Sequence, residues 1–330
     1  MSRRNQSLNL LKAIACIAVV FIHVRFPGTF GTIMQVAAQF AVPVFFLIAG
    51  YFSYDCDSTK IEKRLARILK ILLFSYLCFF VYDIVILLVR NQDIAAWFRS
   101  NFTWKTPIFY IVFCTVDFAT PLWYLIAMAE TYCAWYFVAK RHKKDLFVKL
   151  MPLFLVISIL FTTVSESLNW PWPFRMNFIV RAVPWFLFGC MVRKDSSLTE
   201  KFSNIQLAIT AFVAFVASLL PVIINTGINF SYACCVVSTT AMFLLAIKNP
   251  NVETGKFVQY LGDKLSLYVY ISHYIIRGIL FVLVEKFGLF STDNVIYTWI
   301  QPLLVVAISI LVALVIDLVF GRLKRTKATY

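Results

Sequence analysis

Charge is scarce in this sequence, and acidic charge scarcest: 14% of the 330 residues are Asp, Glu, Lys or Arg, 16 acids against 31 bases. An ordinary soluble domain carries about 25% charged residues. A chain this poor in charge, 61% hydrophobic and with mean hydropathy +0.80, falls outside the soluble classes. Glycine is also thin, at 10, which leaves little material for flexible broken helices. The eight cysteines show no Cys-x-x-Cys spacing and no histidine-paired cluster. They give no support to a zinc or redox motif and read as small packing residues, so no metal is expected. Period-2 alternation, internal repeats, low-complexity linkers and any soluble domain are all missing.

What is present is a series of apolar runs about 20 residues long. Because lipid offers the backbone no hydrogen bonds, such runs cross as helices. The predicted fold is all-α, a polytopic bundle of about ten transmembrane helices forming one domain over residues 1–330. The spans are expected at 8–25, 31–53, 68–90, 120–139, 147–165, 176–192, 205–225, 229–247, 265–284 and 299–320. Residues 91–119 contain the run PIFYIVF, too short to cross, which reads either as interfacial or as re-entrant.

A net charge of +15 would suit nucleic acid, but its placement argues for topology. With both termini cytoplasmic, the bases from Lys60 to Lys70, Lys140 to Lys149, Arg193 to Lys201 and Lys248 to Lys264 share one side. Arg3 and Arg4, and the tail residues Arg322, Lys324, Arg325 and Lys327, join them, as the positive-inside bias predicts. The expected partner is therefore the bilayer of the cytoplasmic membrane, and no nucleic acid. The opening SRRNQSL faintly resembles a twin-arginine export signal, but no small-residue cleavage site follows, so the first span reads as uncleaved. Oligomeric state is not legible, because lipid-facing and partner-facing surfaces are both apolar.

A titratable side chain within a span costs about 2.5 to 3.5 kcal/mol on insertion scales and so tends to face the bundle interior. The candidates are Lys12, His23, Asp83, Glu130, Arg181, His273, Arg277 and Asp317. For Lys12, Arg277 and Asp317, near span ends, snorkelling is the competing reading. Lys12 and His23 are eleven positions apart, which on a helix returns to within about 20° of one face after a rise of about 16 Å. An imidazole kept from water is uncharged and can accept a proton, which is the chemistry of a general base.

The stretch LNLLKAIACIAVVFIH, with its basic residue eleven positions before a histidine, resembles the first-helix signature of the integral-membrane acyltransferase 3 family. VPVFFLIAGYF (42–52) resembles the second-helix motif, with Ala49 where a serine is frequent. KRLARILK holds an Arg-x-x-Arg pair, Arg64 and Arg67. PLWYL (121–125), RAVPWFLFG (181–189) and SLYVYISH (266–273) resemble later motifs in order, so the resemblance covers nearly the whole chain. It implies a membrane O-acyltransferase, moving an acyl group, most often acetyl, from cytoplasmic acyl-CoA to a hydroxyl of an extracytoplasmic glycan or lipid-linked precursor. By position His23 inherits the catalytic role, and Arg64 and Arg67 the donor-binding role.

Chemistry independent of the family agrees. Coenzyme A carries a pyrophosphate and a 3'-phosphate and needs fixed cations, which Arg64 and Arg67 supply one helical turn apart; their competing reading is an ordinary positive-inside anchor. His23 would remove the hydroxyl proton, while Lys12, Arg181 or another donor stabilises the oxyanion. An acyl-histidine intermediate stays open. Trp123 and Tyr124 read equally as donor-tunnel or interfacial-belt aromatics. Glu130, Arg181 and His273 form a candidate polar network, with Arg181 either meeting an anion or pairing with Glu130, and His273 either handling protons or bonded by Tyr270 or Ser272. The loop NWPWPF (169–174) reads as a sugar-stacking surface or as a rigid headgroup turn. The rival functions are a transporter or exporter of a glycan or small metabolite, and a scaffolding subunit.

Overall fold

The elements are helices, and among the described residues there is no strand. In chain order they are α1 (Gln6–His23), α2 (Gly28–Ala37), α3 (Ala41–Ser53), α4 (Ser58–Val89), α5 (Ile94–Asn101), α6 (Thr106–Phe113) and α7 (Trp123–Lys140). There follow α8 (Met151–Ser167), α9 (Val183–Lys194), α10 (Asn204–Ile223), α11 (Ser231–Lys248), α12 (Ser266–Phe287) and α13 (Val295–Lys327). This computed structural model describes residues 5–224, 229–288 and 294–327. Arg3, Arg4 and the side chains of Arg322, Lys324, Arg325 and Lys327 lie outside the described residues.

Local chemistry sets the starts. Asn5 accepts from the Leu8 amide at 2.9 Å, Asp57 from the Lys60 amide at 2.7 Å, and Ser203 and Gln206 form a reciprocal capping box ahead of α10. Each satisfies amides that a helix start leaves open. Proline in the first turn of α6, α8 and α9 sits where its missing N–H is harmless. Between Tyr260 and α12 the chain passes through a wide π-turn, Leu261–Leu265.

The all-α polytopic expectation holds. Among the described residues, eight segments are long and apolar enough to cross a membrane, including Gln6–His23, Ser58–Val89, Thr106–Lys140 and Val295–Val319. Two of the ten expected spans differ. The run at 147–165 is α8, 17 residues long, with a rise of about 25 Å against a hydrocarbon core of about 30 Å. The run at 176–192 is broken: a single turn, Phe178–Arg181, precedes α9 of 12 residues. Pro184 explains the break, since its ring disfavours a continuous ladder through the preceding turn. PIFYIVF lies in α6, which ends at Cys114 in the left-handed region (φ 52°), so its eight residues rise only about 12 Å.

The chain divides into two compact units, with the divisions falling inside α3 and α11. In the first unit (1–44, 203–225 and 237–330), α1 packs on the π-turn, α12 and α13, and α2 packs on α10. A polar clasp closes one end of it. Gln259 Nε2 donates to the Gln6 carbonyl at 3.0 Å, Asn9 Nδ2 to Gln259 Oε1 at 3.1 Å, and Asn204 and Asn249 exchange side-chain amide bonds at 3.0 and 3.2 Å. The residues NQSLN that open the chain's first helix thus serve the fold.

In the second unit (45–202 and 226–236) the broadest packing is α4 on α7 and α8 on α9. Trp135, Trp185, Phe46 and Phe186 fill its interior. There α3 and α9 meet backbone to backbone: a Cβ on Gly50 would stand 1.9 Å from the Phe186 carbonyl oxygen, and one on Gly189 2.0 Å from that of Leu47. Small residues give membrane helices this close approach.

An exposed polar cluster joins the loops of the same unit. Asp145 pairs with Lys194 at 2.6 Å and accepts from the Tyr54 hydroxyl at 2.5 Å, and Arg193 pairs with Asp55 at 2.5 Å. The bonds from Lys194 and Tyr54 hold the Asp145 carboxyl below its ordinary range. A lowered folded-state value adds stability that is complete above the unfolded value of about 3.9 and is lost as pH falls through the folded one. Melting temperatures measured from pH 7 to pH 3 should show that the Asp145→Asn protein lacks this part of the acid decline. The difference at neutral pH should be small, because the carboxylate is exposed and screened.

Candidate functional site

His23 is the last residue of α1, where the chain leaves the helix at Val24 in an extended conformation. Its ring stands 5.2 Å from that of His273 on α12, tilted by 36°, and meets Tyr274 edge-on at 6.0 Å. Tyr274 in turn lies under the Arg277 guanidinium at 5.6 Å. His23 is partly exposed and no hydrogen bond engages its ring among the described residues. Two residues 250 positions apart in sequence thus form one imidazole pair within the first unit.

His273 is fully buried, and its Nδ1 lies 3.3 Å from the Val269 carbonyl oxygen of its own helix. A carbonyl can only accept, so Nδ1 carries the hydrogen and Nε2 presents a lone pair. Among the described residues that Nε2 has no hydrogen-bond partner, and neither do the buried Ser272 Oγ, Gln39 Oε1 and Ser309 Oγ of the same unit. Tyr270 lies with its ring 6.0 Å from that of His273, and Ser272 Oγ, without a partner among the described residues, does not bond it. Buried polar atoms without partners are uncommon, a few per hundred residues, and here they occur on elements that pack around α1. Lys12 and His23 share α1, and Gln35 holds the helix end by donating to the Ile22 carbonyl at 3.3 Å.

The donor-binding candidates belong to the second unit. Arg64, on the basic first third of α4, donates through Nη1 to Ser53 Oγ at 2.8 Å, and Ser53 Oγ donates to the Ala49 carbonyl at 2.6 Å. The Ser53 carbonyl accepts from the Trp135 indole at 3.3 Å. Arg64 therefore secures the end of α3, while Arg67, one turn on, is exposed, with no ion-pair partner among the described residues. Trp123 opens α7 and is partly exposed, and Tyr124 packs its ring on Phe46 at 4.9 Å and Phe45 at 6.0 Å.

Glu130 and Arg181, both in the second unit, have separate partners. Glu130 accepts from the Cys114 thiol at 3.0 Å. Arg181 pairs instead with Glu166, at 3.6 Å, both side chains being nearly buried, and lies over the Tyr232 ring at 5.1 Å. Of the readings held open for Arg181, it meets a carboxylate, that of Glu166 rather than Glu130. Glu166 sits at the end of α8, one residue beyond the expected span, where it also accepts from Asn229 at 3.2 Å. The polar run SES after an apolar stretch is the signal that marks it. Asp317 accepts from the Tyr260 hydroxyl. In NWPWPF, Trp170 packs on Phe161 at 5.7 Å, and Arg175 donates back to the Trp170 carbonyl at 2.6 Å, which makes the loop a bonded turn. Among the described residues no three His, Cys, Asp or Glu side chains gather as a metal cluster.

Comparison with known proteins follows the same lines. The model of the acyltransferase 3 family, described as an acyltransferase domain, matches residues 5–319. An uncharacterized protein of Rickettsia prowazekii (strain Madrid E) is 33% identical over 122 residues, 36% of this chain and 46% of the relative. The chain thus aligns with about half the length of that curated relative. No solved structure matches. A family match that takes in α1 with His23, the Arg64 and Arg67 pair and the His273 segment covers nearly the whole helical chain, and this multi-pass membrane protein belongs to the acyltransferase 3 family.

Proposed function

We propose that this protein is an O-acyltransferase of the cytoplasmic membrane. It takes an acyl group, acetyl by preference, from cytoplasmic acyl-CoA to a hydroxyl of an extracytoplasmic glycan or lipid-linked precursor. The observation that carries the reading is the His23 ring, at the end of a membrane helix and against the buried imidazole of His273. His23 takes the proton of the acceptor hydroxyl as its oxygen attacks the thioester carbonyl. The C–O bond forms, the C–S bond breaks, and the proton passes to the departing coenzyme A thiolate. Lys12, on the same helix as His23, is the cation assigned to charge developing on the donor or the carbonyl oxygen.

Arg64 and Arg67 are assigned to the phosphates of the donor, with unequal duties. Arg67 is exposed and unengaged, so Arg67→Ala should raise KM for acetyl-CoA about ten-fold, the worth of one charge-assisted hydrogen bond, with kcat and melting temperature nearly unchanged. Arg64→Ala should also lower the melting temperature, because Ser53 loses a bond partner. Steady-state kinetics and thermal melts of the two proteins separate these outcomes.

The deciding experiment is acetyl-CoA turnover by the purified protein in nanodiscs, coupled to analysis of surface glycans for ester-linked acyl groups with and without the protein. His23-dependent release of coenzyme A and loss of those esters support the enzyme. Flux of a solute with the thioester intact would support a carrier.

A further inference from the structure

Resting on the acyl-transfer reading, we propose that His273 is the positioning residue for His23: its Nε2 accepts the N–H of the His23 ring, fixes which His23 nitrogen is left as the base, and shares the charge when the proton arrives.

Three observations lead there. The Nδ1–H of His273 is committed to the Val269 carbonyl at 3.3 Å, so its tautomer is set by its own helix and its free nitrogen is an acceptor. That nitrogen is fully buried and without a partner, a costly arrangement unless a donor reaches it. The ring of His23 stands 5.2 Å from that of His273, centroid to centroid, tilted by 36°. A ring nitrogen stands about 1 Å from its centroid, so two nitrogens turned toward each other across this gap meet at about 3 Å, a hydrogen-bonding distance. Catalytic hydrogen bonds are often loose before substrate binds and tighten with it.

A base in this position needs an orienting acceptor, as the histidine of a hydrolytic triad needs its carboxylate. Here a second imidazole takes that place. The balance is complete: the hydroxyl proton goes to the free nitrogen of His23, the opposite N–H stays bonded to His273 Nε2, and the proton leaves with the coenzyme A thiolate.

The test compares His273→Ala and His273→Gln with the wild type in nanodiscs, by kinetics and by ¹⁵N NMR of labelled imidazoles. The chain has three histidines, so replacing each in turn assigns the signals. His273→Ala should lower kcat about 100-fold with KM for acetyl-CoA unchanged, and glutamine, whose carbonyl oxygen can accept, should restore part of it. The NMR should show His273 as the Nδ1–H tautomer and His23 losing its single tautomer in the alanine protein. Wild-type kcat in His273→Ala, no rescue by glutamine, or a His23 tautomer indifferent to residue 273 would each overturn the proposal. If the wild type turns over no acyl-CoA, the enzyme reading fails, and the NMR arm still decides the pairing.

Discussion

The His23→Ala protein is expected to fold and melt within a few degrees of the wild type while losing acyl transfer by about 10³-fold or more. The size follows from the role: removing a positioned general base costs about 10² to 10⁴ in rate. The intact fold follows from the position. His23 is the terminal residue of α1 and partly exposed, so the change removes ring contacts with His273 and Tyr274, and the hydrogen bond proposed to His273, while leaving α1 intact. Such contacts are worth about 0.5 to 1.5 kcal/mol beyond burial, and alanine's helix propensity offsets part of the loss. Coenzyme A release and product-ester formation, read beside a melt in the same detergent, give both halves of the result. An alanine protein that acylates at the wild-type rate would remove His23 from the chemistry.

The largest effect on stability is expected at the contact between α3 and α9. Gly189→Ala would bring a methyl group 2.0 Å from the Leu47 carbonyl oxygen and 2.8 Å from the Tyr51 nitrogen, and Gly50→Ala one 1.9 Å from the Phe186 carbonyl oxygen. These neighbours are backbone, which cannot swing aside like a side-chain tip, so the helices must part by more than about 1 Å. That loosens Phe46, Trp185 and Phe186, all nearly inaccessible to solvent. Overpacking of this kind costs about 1 to 3 kcal/mol and sometimes more, and the backbone origin of the clash puts each variant at the upper end. Because both glycines serve one interface, the double variant should cost less than the sum of the singles: once one methyl has spread the helices, the second meets an opened gap. Melting temperatures of the three proteins measure this directly, and a Gly189→Ala protein that melts like the wild type would show that the two backbones can separate at little cost.

The helical, membrane-crossing character was readable because lipid leaves the backbone no other choice. The errors fell where that rule weakens. The run at 176–192 is as apolar as its neighbours, and composition alone does not reveal that Pro184 and the turn at Phe178–Arg181 divide it. His23 stood out because an imidazole has no stem with which to reach the surface, and His273 for the same reason. Their meeting could not be read, since it depends on packing between helices far apart in sequence. Charge partners were the least legible. Arg181 had a carboxylate available in Glu130, yet it pairs with Glu166, and a sequence carries the signs of charges without their separations. The hold of Arg64 on Ser53 was hidden likewise, because Ser53 gives no signal until α3 and α4 are folded against each other.

The wide turn at Leu261–Leu265 winds looser than an α-helix, which shifts the angular phase of everything beyond it by about 100° relative to what came before. Gln259, ahead of it, is fastened to Gln6 and Asn9 near the beginning of α1, and His273, after it, faces the far end of the same helix. One rod is thus gripped at its two ends by a neighbour whose halves are rotated against each other. The alignment of the imidazoles is thereby written into five residues, none of them a histidine.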